Sequence, residues 1–483
     1  MSDQIAGLKP EPVWRYFAEI ARIPRCSKNE AAMTKYILDN AKRLGLSAKT
    51  DKFGNVVVKK PASEGRGHAR SIALQGHLDM VCEKNKDKVH DFSKDPIEIV
   101  RKDNVLMANG TTLGADNGIA VATNLAIMED RSLEHGPLEF LFTVDEETGL
   151  TGASNLGGDF LESRTLINLD SEEEGALYVG CSGGGDTTGI WRIAFDSPPA
   201  NSSAVHVKVA GLRGGHSGLE IDKGRGNAIK ILNRVVMVLG ERGARLSSIA
   251  GGNKHNAIPR EAEALLLVSK KRMDRVHTIV DEFNAIARSE LSTVEPDLTV
   301  SVSEVRGKKK VMKKALQKKL CQTISAIPHG VTKMSADIPD LVETSTNLAV
   351  IKTERRSLVL STSQRSSVGS EIEEICQTVA SVMELGGATV KSSDGYPGWK
   401  PNLESPILTL AKSTYKSLYG REPAVKAIHA GLECGIIGEK TPGIDMVSFG
   451  PTLEGVHSPD EKIYIDTVER YWNFLLAILK NIN

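Results

Sequence analysis

The sequence predicts an α/β chain interrupted by an inserted α+β segment, and three observations carry that reading. Helical and strand-like patterns alternate through the first part of the chain. The run Gly180-Cys181-Ser182-Gly183-Gly184-Gly185 breaks this rhythm and is followed by period-two strands. A second break over residues 392–401 returns the chain to a helical pattern. At 483 residues, 40% of them apolar, the chain is too long for one ordinary compact core and suits two domains.

Residues 11–23 and 30–44 carry apolar side chains at helical spacing, and 55–59 and 71–74 read as short strands. Residues 118–128 read as a helix. The apolar runs 138–144 and 165–169, bounded by glycine and acidic clusters, suit strands buried on both faces. Beyond the glycine run, 204–209, 264–268 and 357–361 alternate as half-buried strands do. Strands and helices recur on either side of about residue 310, so the inner segment can hold two similar βαβ-type lobes. Asp394, Gly395, Pro397 and Gly398 are turn formers that close it, and 406–418 is helical again. No repeat at a solenoid period is visible.

Lysine plus arginine total 61 and aspartate plus glutamate total 61, so the molecule projects no long-range field toward nucleic acid or anionic lipid. Residues 308–319 hold seven lysines, which reads as a solvated helix face because the rest of the chain neutralises it. No stretch approaches the ~18 uninterrupted apolar residues of a membrane span, and the first residues lack a signal-peptide pattern. Cys26, Cys82, Cys181, Cys321, Cys376 and Cys434 lie tens of residues apart with no C-x-x-C pair, fitting neither a disulfide framework nor a thiolate zinc site. A reducing cytoplasm is the expected compartment.

The chemistry lies where histidines and carboxylates fall relative to the buried strands. One strand ends in Gly76-His77-Leu78-Asp79, the next in Asp145-Glu146-Glu147, and a third in Asp170. In open α/β sheets the C-terminal strand edge is the ligand-binding edge, so these residues can converge. Asp116, in a glycine-flanked loop before a helix, and His457, after the strand-like residues 446–449, can join them. Each motif alone reads as an ordinary polar strand end or a solvated turn; their joint occurrence points to metal. Two histidines and three carboxylates suit zinc, cobalt or manganese. They can hold two ions if one carboxylate bridges, with the metals ~3.5–4 Å apart and a position left for a shared water. Residues i and i+2 of an extended segment face alike, so Asp79 can accept the second ring N–H of His77. Glu146 and Glu147 cannot both point alike, so one can ligate while the other acts as general base.

Together, Gly76-His77-Leu78-Asp79, Leu113-Gly114-Ala115-Asp116-Asn117-Gly118, Asp145-Glu146-Glu147-Thr148-Gly149 and Asn168-Leu169-Asp170 resemble the M20 family of di-zinc aminopeptidases and dipeptidases. The longer strings Tyr396-Pro397-Gly398-Trp399, residues 428–435 and Glu454-Gly455-Val456-His457-Ser458-Pro459 resemble its dipeptidase branch, as does aspartate rather than glutamate at Asp170. The resemblance implies a zinc-exopeptidase-like catalytic domain with a mixed, mainly parallel sheet flanked by helices, formed by residues 1–186 and 401–483 and interrupted by a lid at 187–400. It also implies two divalent ions, most simply zinc, with Asp116 bridging, His77 and Asp170 completing one site and Glu147 and His457 the other. Glu146 would be the base and Asp79 the orienter, with a cis peptide after Asp116. In the lid, His216 resembles the residue that stabilises the oxyanion. Asn256 resembles a contact to the substrate backbone, and Arg365 a clamp on the substrate carboxylate. A lone glycine-loop histidine or strand-end arginine otherwise reads as structural or solvated.

The expected activity is metal-dependent hydrolysis of dipeptides with a free N-terminus, Xaa-His among them, with a short peptide as the partner and a homodimer implied by the family. Removal of an acyl group from an N-acylated amino acid is the rival on the same site. A non-catalytic binding module using the lysine-rich segment is the rival from another class. Gly180-Cys181-Ser182-Gly183-Gly184 matches G-x-S-x-G, but residues 187–195 read as a strand where a nucleophile elbow needs a helix, so Ser182 reads as a junction residue. No H-E-x-x-H, P-loop or dinucleotide fingerprint is present.

Overall fold

A computed structural model describes residues 4–307 and 309–483. The chain forms two compact units. The first runs to Cys181 and resumes over Trp399–Ala427 and Leu432–Asn483; the second is Ser182–Gly398 with Ile428–Gly431.

The first unit is built on an eight-stranded sheet in the order Ser47–Thr50, Val56–Lys60, Leu138–Thr143, Ile72–His77, Thr165–Asn168, Asp445–Ser448, Ala176–Cys181, Ala424–Ile428. Its four central strands are parallel, from Leu138–Thr143 through Asp445–Ser448, while Ser47–Thr50 with Val56–Lys60, Val56–Lys60 with Leu138–Thr143, and Asp445–Ser448 with Ala176–Cys181 pair antiparallel. Parallel strands must be covered on both faces, which is why Leu138–Thr143, Ile72–His77 and Thr165–Asn168 are buried at every residue. The helix Ala115–Glu129 is buried along nearly its whole length, against Ile72–His77 and the helix Glu11–Ile20. Close approach there requires Gly76, whose Cβ would lie 2.5 Å from Asn117 Oδ1 and 2.9 Å from Ala120 Cβ. A small second sheet pairs Leu453–Glu454, Lys462–Tyr464, Val105–Ala108 and Ile99–Lys102 in that order.

The second unit carries a nine-stranded sheet whose paired strands are all antiparallel. Eight of its strands form two βαββαβ lobes, one nested within the other, and the ninth, Gly330–Met334, pairs with Val342–Thr353. Ser202–Ala210, Arg245–Gly251, Ala262–Ser269 and Thr299–Val305 form one with helices Ala228–Glu241 and Met273–Leu291. Gly183–Arg192, Val342–Thr353, Ser357–Ser366 and Thr389–Ser392 form the other with helices Lys314–Ala326 and Gly369–Leu385. The lobes meet edge to edge where Ala250 faces Lys352. Side chains from all four helices share one core with the sheet, including Val207, Leu232, Phe283, Leu320 and Val379.

One expectation is corrected. The cysteine spacing fits no disulfide framework, yet the structure joins Cys26 to Cys82 with their Cα atoms 5.7 Å apart. The physical reason is a long-range pairing that spacing does not reveal: a parallel bridge between Cys26 and Met80 lays the two segments side by side. Cys181, Cys321, Cys376 and Cys434 are free.

Ser182 lies between two strands, Ala176–Cys181 and Gly183–Arg192, so no strand-turn-helix elbow surrounds it. In the lysine-rich run, Lys308 lies outside the described residues, and the other lysines are exposed around Val311–Met312 and along Lys314–Ala326. Among the described residues no helix is long and apolar enough to cross a membrane.

Candidate metal centre and active site

Because the four central strands of the first unit run the same way, their C-terminal ends lie on one sheet edge. His77 ends its strand there, Asp145-Glu146-Glu147 follow Leu138–Thr143, Asp170 follows Thr165–Asn168, and the chain beyond Asp445–Ser448 leads to His457. Asp116 comes from the start of the helix Ala115–Glu129, where its backbone is extended and its peptide bond to Asn117 is cis. Asn117 ties this turn to two strands, accepting the His77 N–H at 3.2 Å and donating to the Leu169 carbonyl at 2.9 Å.

Asp116 lies between two histidines. Its Oδ1 is 3.1 Å from His77 Nε2, and Asp170 Oδ1 is 3.4 Å from that same nitrogen. Its Oδ2 is 3.1 Å from His457 Nε2, and Glu147 Oε2 is 2.9 Å from it. Two histidine–carboxylate sets thus share one aspartate through different oxygens, with ligand-type atoms in each set within 4.8 Å of one another. Glu146 joins His77 and Glu147 in a further such group.

Asp79 is fully buried behind His77, with Oδ1 at 3.3 Å from Nδ1. The same carboxylate accepts the backbone N–H of Glu146 at 3.0 Å, that of Glu147 at 3.2 Å and the Ser27 hydroxyl at 2.8 Å. One side chain therefore fixes the His77 ring and the turn presenting both glutamates.

Burial opposes charge on Asp79, but the His77 bond and charge and the Glu146 N–H together hold it at about 2. For His77, burial is outweighed by the Asp170 charge and by the Asp116, Asp170 and Asp79 carboxylates that face its ring nitrogens, which raise it well above the ordinary imidazole value. Hydrogen bonds to the Asp116 and Glu147 carboxylates raise His457 to about 11. Burial, with neighbouring carboxylates, pushes Glu146 well above the usual range and Asp170 to about 6. The cluster thus has a strong demand for positive charge at the two Nε2 positions. Asp170 Oδ1 and Glu147 Oε1 are buried without hydrogen-bond partners. This nitrogen and oxygen donor set, two imidazoles and three carboxylates with no thiolate, fits divalent metal.

The second unit holds the other candidates. His216 lies in the two-residue strand Gly215–His216, opposite Ala257. Its Nδ1 accepts the backbone N–H groups of Gly218 at 3.2 Å and Leu219 at 3.1 Å, so the ring proton belongs on Nε2. Burial and the Arg365 charge lower it to about 4, leaving a neutral N–H donor near pH 7. Arg365 is only 7% exposed, on the inner strand Ser357–Ser366, which excludes a solvated surface role. Its Nη1 donates to the Tyr396 hydroxyl at 3.1 Å, while its Nε is buried without a partner. Asn256 has an exposed side chain, and its carbonyl accepts the Ser217 N–H at 3.0 Å.

Sequence reasoning missed several supports. His429 is buried, with Nε2 2.7 Å from the Ser345 hydroxyl, in the strand position opposite Arg365. In the first unit a polar row crosses the parallel strands below the ligands. Thr143 and Gln75 each donate to Glu433 Oε2 at 2.6 Å, Asn168 donates to Gln75, and Ser448 donates to Asn168. Its signal in the sequence is a polar residue inside an otherwise apolar strand run. Arg25 and Glu461 carry no local motif.

A family model described as Peptidase family M20/M25/M40 matches residues 73–481. The chain is 39% identical over 480 residues to the cytosol non-specific dipeptidase of Escherichia coli (strain K12), covering 99% of both chains. Among solved structures it superposes on the aminoacylhistidine dipeptidase of Vibrio alginolyticus with a TM-score of 0.91 and 40% identity, covering 100% of this chain and 99% of that one. The aminopeptidase PepT of Bacillus cereus shares the fold, at a TM-score of 0.57 and 16% identity over 98% of each chain.

Proposed function

This chain belongs to peptidase family M20/M25/M40, and we propose that it is a metal-dependent dipeptidase acting on unblocked dipeptides, Xaa-His substrates among them. The observation that carries this reading is Asp116, which offers one oxygen to each of two histidine–carboxylate sets. His77, Asp116 and Asp170 would hold one ion, and Asp116, Glu147 and His457 a second, zinc most simply and cobalt or manganese with the same donors. Bound there, divalent metal supplies polarisation of the scissile carbonyl and acidification of the attacking water.

The chain's own residues do the rest. Glu146 takes a proton from the attacking water and returns it to the leaving amine, a role suited by a carboxyl that burial makes more basic than an ordinary carboxylate. Asp79 holds the His77 ring and, through the backbone of Glu146, the base itself. The second unit supplies the substrate contacts. From it, His216 donates its Nε2 proton to the developing oxyanion, Arg365 receives the substrate carboxylate, and Asn256 contacts the substrate backbone. The neutral state of His216 supports its role, since it presents an N–H without an added charge. We assign the chain to the cytoplasm, as the name of its Escherichia coli relative implies for that protein. In that reducing compartment Cys26 and Cys82 would be neighbouring thiols.

The test is hydrolysis of unblocked dipeptides, including an Xaa-His member, alongside an N-acetyl amino acid, before chelation, after it, and after zinc, cobalt or manganese is returned. Dipeptide hydrolysis lost with chelator and regained with metal is expected. Cleavage of the N-acetyl substrate alone would replace this reading with a deacylase, and hydrolysis indifferent to chelator would end it.

A further inference from the structure

Two buried residues outside every motif lie beneath the shared aspartate. The loop 113–116 turns through Gly114 in the left-handed region, at φ 69°, and points four successive backbone N–H groups inward. Successive N–H groups of this kind form a nest for an anion. Here the chain fills its own nest. Glu461 Oε2 accepts from Leu113 at 2.7 Å and Gly114 at 2.9 Å, and Oε1 from Ala115 at 2.7 Å and Asp116 at 3.2 Å. Glu461 is 2% exposed.

Glu461 also belongs to the loop of His457. Leu453–Glu454 and Lys462–Tyr464 form a hairpin around that loop, and Lys462–Tyr464 pairs with Val105–Ala108, shortly before the nest. The loops carrying Asp116 and His457 are thus anchored on one small sheet and joined by one carboxylate.

From the other side, Arg25, 3% exposed, donates through Nη1 to the carbonyls of Leu78 at 3.1 Å and Asp79 at 2.7 Å, and through Nη2 to the Gly114 carbonyl. The two forks of one planar group therefore tie the His77–Asp79 segment to the Asp116 loop. Gly114 and Gly118 make room for it, because a Cβ at either would lie 2.6 Å from Nη2. That is a physical reason for both glycines of the Leu113–Gly118 string.

We propose that Arg25 and Glu461 are positioning residues that together fix the Asp116 loop relative to His77 and His457, and so set the geometry in which one aspartate serves two metal positions. The inference rests on the metal-centre reading above. Neither residue would touch metal or substrate; each acts through Asp116. Glu461 supplies four acceptor contacts that a neutral amide cannot, since the NH2 of glutamine would face two N–H donors. Arg25 spans two segments with a fork that the single ammonium of lysine cannot reproduce.

The experiment compares zinc affinity of wild type, Glu461→Gln and Arg25→Lys by competition with a chromophoric chelator. Thermal melting of the metal-free proteins and dipeptide kinetics at saturating zinc accompany it. Outer residues that orient ligands typically control roughly 10–100-fold in metal affinity. Glu461→Gln is expected to fall in that range and Arg25→Lys to lose less in the same direction. At saturating zinc, kcat should drop while KM for the dipeptide stays within about twofold, the split expected when a residue acts on the reacting centre. Wild-type zinc affinity in both folded variants, or a lowered melting temperature with affinity unchanged, overturns the inference. If Glu461→Gln does not fold, Arg25→Lys decides by the same criteria. Wild type that binds no zinc would instead overturn the underlying metal-centre reading, which separates the two failures.

Discussion

The two units hold their functional side chains in different ways. In the first, the segments that carry the ligands are braced from behind: Asp79 alone holds the His77 ring and the backbone N–H groups of Glu146 and Glu147, and Asn117 ties the start of the Asp116 helix to His77 and Leu169. In the second, His216 rests on two backbone donors and Arg365 on one hydroxyl, and Arg365 Nε has no partner. A site that must present several ligands to a cation with fixed geometry needs rigid surroundings, whereas groups that meet a substrate keep polar capacity in reserve.

The sharpest way to break this comparison is at Glu146, which is braced through its backbone and acts through its side chain. Glu146→Gln keeps the Asp79 bond to the Glu146 N–H but removes the base. General acid–base catalysis typically supplies roughly 10²–10⁴-fold, so kcat should fall by that factor in a variant with wild-type metal content by elemental analysis. A native rate at full metal content would remove Glu146 from the mechanism.

A smaller loss is expected in the second unit. His216→Ala removes one oxyanion donor, a change that typically costs about 10²–10³ in kcat, and it should leave zinc stoichiometry untouched because no ligand of the metal centre belongs to that unit. Zinc loss in His216→Ala would contradict the division of labour, as would an unchanged kcat.

How far each region could be read from sequence follows from the same contrast. His77, Glu146, Glu147, Asp170 and His457 were legible because parallel strands deliver their ends to one edge, and a strand run followed by a ligand-type residue is a local pattern, while Asp116 stood out in a glycine-flanked loop before a helix. Arg25 and Glu461 were not legible, since their contacts reach 53 to 89 and 345 to 348 residues along the chain and no local spacing encodes them. The Cys26–Cys82 pairing escaped for that reason too. In the inner segment, recurrence on either side of about residue 310 pointed to two lobes. Their nesting was hidden, because the first strand of the outer lobe, Gly183–Arg192, precedes the whole inner one.

The mildest perturbation, proton concentration, should move the two units in opposite directions when metal is absent. In the second unit, burial with nearby positive charge lowers His216 and His329 to about 4 and His429 to about 3. These histidines are neutral when folded, while their unfolded counterparts take up protons below about pH 6.5. The stability they lend is therefore complete above about 6.5 and is lost as pH falls toward their folded values. In the first unit, burial and neighbouring carboxylates raise Asp170 to about 6, Glu433 to about 7 and Glu172 to about 8. Those groups hold protons in the folded unit that the unfolded chain has already released, so their contribution is lost as pH rises from about 4 through those values. Hydrogen exchange of the metal-free protein, resolved by unit between about pH 5 and pH 8 and corrected for intrinsic exchange rates, should show protection of the first unit decreasing and that of the second increasing. Zinc should abolish the decrease in the first unit, because a bound cation favours the ionised carboxylates. Parallel trends in both units would mean that buried titratable groups do not set their separate stabilities. A decrease in the first unit that persists with zinc bound would place the responsible carboxylates outside the reach of the metal.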